Sequence, residues 1–77
     1  MNRWRMVSVQ NGKEHVSTVV LGREELDEQM KAEAEMHVVA GWEVLKSRDG
    51  LWMMARKGNI VREVFVREYD ALKDISS

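Results

Sequence analysis

The sequence predicts a small α+β domain: an antiparallel sheet of two hairpins with a helix packed on one face and a C-terminal amphipathic helix, in the order ββαββα. Three observations carry that expectation. Two turn dipeptides, Asn11-Gly12 and Asp49-Gly50, each separate runs that read as strands. The stretch from Arg23 to Val39 repeats its apolar residues with a helical period. From Ile60 onward, a helical template gathers Val61, Val64, Phe65, Tyr69, Leu72 and Ile75 into one stripe.

Arg3 to Gln10 alternates, with Trp4, Met6 and Ser8 on one side and Arg5, Val7 and Val9 on the other. Asn11-Gly12 suits a two-residue turn, in which both central residues take positive φ. The return run from His15 to Leu21 is rich in β-branched residues, and the turn sets Val7 opposite Val16 and Trp4 opposite Val19. Gly22 ends that strand. In the helix that follows, Leu26, Met30, Ala34, His37 and Val38 form the apolar stripe. Glu24, Glu25, Asp27 and Glu28 crowd its first turns, at the positive end of the helix dipole. Asp27 and Lys31 are spaced to pair at i,i+4, and Gly41 suits a left-handed helix end. Trp42 to Ser47 and Leu51 to Lys57 form the second hairpin, whose register sets Glu43 against Arg56 and Leu45 against Met54. The last segment fits two templates. Its β-branched start suggests a strand over 60–67, but the helical stripe is cleaner, Glu63 and Arg67 suit an i,i+4 pair, and Asn59 can cap. A helix is therefore expected there, with the strand as the alternative.

Seventy-seven residues make one domain over 1–77, with 3–57 as a sheet-plus-helix core and 59–77 as a helical extension. At 44% hydrophobic and 32% charged, the chain is globular and not disordered. It contains no Cys, which excludes disulfides, zinc-thiolate sites and thiol nucleophiles. The longest apolar runs, such as Leu51 to Ala55, are far short of the ~20 residues of a membrane helix. The first 21 residues alternate and do not form an export signal, so no membrane partner and a cytoplasmic location are expected. A core this small gains from self-association, and a homodimer is the expected state.

Chemical constellations are sparse. The two histidines, His15 and His37, fall on different elements, and Glu33 with His37 offers two metal ligands with no third. No phosphate loop or nucleophile motif is present, so no catalytic residue, cofactor or metal is expected. Charge is unevenly spread: residues 22–41 hold two basic against six acidic residues, a net of −4, and the remainder ten against seven, a net of +3. Two surfaces follow. The favoured one is a protein interface on the last stripe, Val61, Phe65, Tyr69, Leu72 and Ile75, open to an unidentified protein partner or a second copy. The alternative is a nucleic-acid surface in which Arg3, Arg5, Lys46, Arg48, Arg56 and Lys57 interleave with Trp52. Reading 23–69 as a helix and three strands would echo double-stranded RNA-binding domains. The closing Asp70 to Ser77 is short and acidic where those domains carry a long basic helix.

The run Val39-Ala40-Gly41-Trp42-Glu43-Val44-Leu45, after an amphipathic helix and before a hairpin, resembles domain of unknown function 4177, a small bacterial and phage family. Met6 to Val9, Leu26 to Val39, Gly41-Trp42-Glu43 and Leu51 to Lys57 would take the places of its strand, helix, Gly-Trp-Glu signature and closing strand. The likeness covers residues 3–57 and implies the fold of that stretch; the family has no assigned activity, so function stays open, and a phage- or mobile-element-encoded accessory or regulatory protein is the expectation. The expectation is a non-catalytic protein-interaction module.

Overall fold

The computed structural model describes residues 3–69, so Leu72 and Ile75 lie outside it. The elements run β1 (Arg3–Gln10), β2 (Lys13–Val16), α1 (Arg23–Val39), β3 (Glu43–Lys46), β4 (Trp52–Lys57) and β5 (Ile60–Tyr69). All five strands pair antiparallel in one sheet, in the order β2-β1-β5-β4-β3. The α+β class holds, while the helix expected from Ile60 is a strand as far as Tyr69. No helix among the described residues is long and apolar enough to cross a membrane.

That correction has a local cause and a long-range one. Lys57 pairs with Ile60, leaving Gly58-Asn59 as a two-residue turn; φ is +60° at Gly58 and not positive at Asn59, as a type II′ turn requires. The long-range cause is that β5 is bonded on both sides, from Arg3↔Tyr69 to Gln10↔Arg62 against β1 and from Trp52↔Phe65 to Lys57↔Ile60 against β4. A helix over 60–69 would forfeit both ladders.

The first hairpin keeps the expected Val7↔Val16 pair across Asn11-Gly12, where φ is +52° and +76°. It departs from expectation beyond Val16. Ser17 Oγ accepts the Val19 N–H at 3.1 Å, and this turn throws out two residues, so Trp4 exchanges both backbone bonds with Leu21 (2.9 and 2.8 Å) and not with Val19. An even-numbered insertion preserves the facing, so Leu21 reaches the core while Val19 stays exposed.

Helix α1 connects one edge of the sheet to the other, from β2 to β3. Leu26, Met30, Ala34 and His37 are its buried residues. Leu26, Met30 and Ala34 pack with Leu21, Met53, Ala55 and Val64, and Met6, Val44 and Val66 border that cluster. The acidic first turn stands as read, but Asp27 accepts Arg23 Nε (3.1 Å) instead of pairing with Lys31. At the helix end the Gly41 N–H donates to Val38 O (3.1 Å) and the Trp42 N–H to His37 O (2.9 Å). Gly41 takes φ +88°, which turns the chain sharply enough for Trp42 to fold back on His37, ring edge to ring face at 5.2 Å. His37 Nδ1 donates to Glu33 O at 2.7 Å, a satisfied buried histidine.

Leu26 is the largest side chain that is fully enclosed. Leu26→Ala should cost about 2–5 kcal/mol in urea unfolding, with the m-value unchanged.

Candidate functional site

Strand alternation gives the sheet two unlike faces. One is covered by α1; no element among the described residues covers the other. On this open face the register lines up Val16, Val7, Phe65 and Trp52 across four strands. Val61, Phe65 and Tyr69 share it, so these three residues of the expected stripe do lie on one side, that of a strand and not of a helix.

The expected basic surface is divided. Arg3, Arg5, Trp52 and Arg56 fall on the open face, Lys46 and Lys57 on the helix side, and Arg48 in the β3–β4 turn. The open-face cations other than Arg3 are engaged within the sheet. Arg67 Nη2 reaches across β1 to Glu14 Oε1 (3.0 Å), straddling Val7, which is fully buried beneath. Arg56 Nη2 donates to Glu43 Oε2 (3.2 Å), the expected cross-strand pair. The Arg5 guanidinium sits 4.9 Å from the Tyr69 ring centroid, and the Trp52 indole N–H donates to Glu63 Oε2 (2.6 Å). Lys57 Nζ donates to the Ala40 carbonyl (2.9 Å), a cation at the negative end of α1.

The structure adds two surfaces that the sequence reading passed over. The first is the back of α1, where Ala32, Met36 and Val39 recur at i, i+4 and i+7 opposite the buried stripe. Met36 is 64% and Val39 88% exposed, and Val38, assigned above to the core stripe, is 60% exposed. The spacing was present in the sequence but was masked by the acidic residues around it.

The second is a cleft of about 320 Å³ between α1 and the β3–β4 turn. Arg23, Lys31, Lys46 and Arg48 line it with Asp27 and Asp49, alongside Met30 and Met53. The turn is braced. Asp49 Oδ1 accepts the Ser47 hydroxyl and the Leu51 N–H (3.0 Å), Ser47 Oγ accepts the Trp52 N–H (3.1 Å), and Arg23 Nη2 donates to the Asp49 carbonyl (3.4 Å). The Ser47 hydrogen bond and then the Leu51 N–H hold the Asp49 carboxyl below its ordinary range; desolvation opposes them, and the Arg23 charge adds a lesser lowering. Among the described residues no three His, Asp or Glu side chains gather as a metal site.

No family model, curated protein or solved structure matches the chain.

A carboxylate with a depressed folded-state pKa stabilises the fold above its unfolded pKa and loses that contribution as pH falls through the folded value. Asp49→Asn should therefore lower stability near neutrality and flatten its decline below about pH 4, measured by urea unfolding across pH.

Proposed function

We propose that the protein is a non-catalytic protein-interaction module that pairs with a second copy through the back of α1. The observation that carries this reading is the outward Ala32–Met36–Val39 stripe, which sets two strongly exposed large apolar side chains, Met36 and Val39, one turn apart among charged residues of the helix. The first protein partner is thus the chain itself, and the interface moves from the last segment to α1.

A two-fold axis through this stripe sets the two helices antiparallel and makes the contact self-complementary. Ala32 of each copy then approaches the other's Val39. The acidic turns holding Glu24, Glu25 and Glu28 extend toward the opposite helix C-terminus, where Lys57 sits on the Ala40 carbonyl. Charge complementarity thus flanks an apolar centre, and the added burial supplements a core with only eight enclosed apolar residues among the described ones. The resemblance of residues 3–57 to domain of unknown function 4177 rests on Gly41-Trp42-Glu43 after an amphipathic helix. A cytoplasmic accessory role accords with that likeness. The nucleic-acid reading is weaker, because Arg5, Arg56 and Trp52 are already engaged within the sheet.

Size-exclusion chromatography with light scattering should give twice the 9.0 kDa chain mass at high micromolar concentration. Met36→Lys with Val39→Lys should return it to the monomer mass with circular dichroism unchanged, since both side chains are exposed. A wild-type monomer at that concentration, or a variant that stays dimeric, would sink the reading. Phe65→Asp should instead cost about 3 kcal/mol or more of unfolding free energy, because it places a charge in the half-buried row beside Val7.

A further inference from the structure

We infer that the cleft between α1 and the β3–β4 turn binds a phosphate-bearing small molecule, in which the phosphoryl group sits among Lys31, Lys46 and Arg48. These three cations come from opposed elements, line one cavity and make no ion pair among the described residues. The other charges there are internally matched. Arg23 holds Asp27, and Asp49 is held by the Ser47 hydroxyl and the Leu51 N–H. Four cations against two carboxylates leave the cleft at +2, the counterpart of a phosphomonoester dianion.

Preorganisation favours the same ligand. The bond from Arg23 to the Asp49 carbonyl ties the turn to the helix, and the Ser47–Asp49–Leu51 bonds fix its backbone, so Arg48 projects from a braced support. A guanidinium fork matches phosphate oxygens two at a time, and lysines supply point charges around it. Met30 and Met53 give the rest of the ligand an apolar wall.

The size indicates a compact ligand. At about 320 Å³ the cleft lies at the lower end of the ~300–1,000 Å³ range of small-molecule sites. A nucleic-acid strand would need a continued track of cations, but Arg5 and Arg56 are engaged on the far face of the sheet. The site uses none of the residues on the back of α1, so it stands or falls independently of the dimer.

The test is a ¹H–¹⁵N NMR titration with phenyl phosphate, against NaCl at equal ionic strength. Saturable shifts confined to residues 23–31 and 46–53 are expected, and Arg48→Gln or Lys46→Gln should each weaken binding about tenfold. Both side chains are exposed, and an unchanged circular dichroism spectrum would exclude misfolding; Lys31→Gln repeats the test from the helix side. Shifts that do not saturate, that NaCl reproduces, or that persist at full affinity in the variants would overturn the site. A short single-stranded oligonucleotide that binds more tightly per phosphate, with a steep salt dependence, would overturn the small-molecule assignment in favour of nucleic acid.

Discussion

The ladder between β1 and β5 joins two halves that would otherwise be separate. On one side lies the β1–β2 hairpin, on the other the β3–β4 hairpin with α1, and a two-stranded ribbon alone is marginal in water. By bonding to both β1 and β4, β5 makes one sheet broad enough to support a helix. It also makes each face continuous: Met6, Val66, Val64 and Met53 lie on the helix side, and Val7, Phe65 and Trp52 on the other. The placement of α1 follows, since the helix runs between sheet edges that only β5 holds in one plane. The basic cleft is fixed in turn, being bounded by that helix and the β3–β4 turn.

What the sequence revealed was local. The turn at Asn11-Gly12, the limits of α1, the reversal at Gly41 and the Glu43–Arg56 pair each depend on a few neighbouring residues, and each is where it was expected. β5 fits the helical template as well because Val61, Phe65 and Tyr69 are four apart, a spacing that suits both a helical stripe and one side of a strand. A central strand with apolar residues on both faces also lacks the alternation that marks an exposed one. Two signals favoured the strand: the Gly58-Asn59 dipeptide, and Val64 with Val66 serving the opposite face. The helical reading drew part of its strength from Leu72 and Ile75, outside the described residues.

Charge shows the same division. The acidic balance of residues 22–41 could be counted, but the choice of partner depends on the fold. Asp27 lies within reach of both Arg23 and Lys31 along the helix, and the Arg23 side chain also reaches the Asp49 carbonyl, which joins the pair to the turn. Lys31 is left facing the cleft. The Arg67–Glu14 bridge crosses an intervening strand and has no local signature at all. A helix counted as acidic thus supplies a cation to the basic cleft, while the cationic strands spend much of their charge on one another.

The distance in sequence between β1 and β5 also sets a timetable. Gln10 pairs with Arg62 and Arg3 with Tyr69, so the central ladder closes loops of roughly 50–65 residues and forms only once β5 has emerged. At about 5–20 residues per second of synthesis, β1 waits roughly 3–13 s with one edge unbonded. Refolding from denaturant should likewise belong to the millisecond-to-second regime of non-local sheets and not to the microsecond regime of helical bundles. The molecule's weakest moment comes before β5 arrives, when Trp4, Met6, Val7 and Val9 border a sheet edge that any extended segment can occupy.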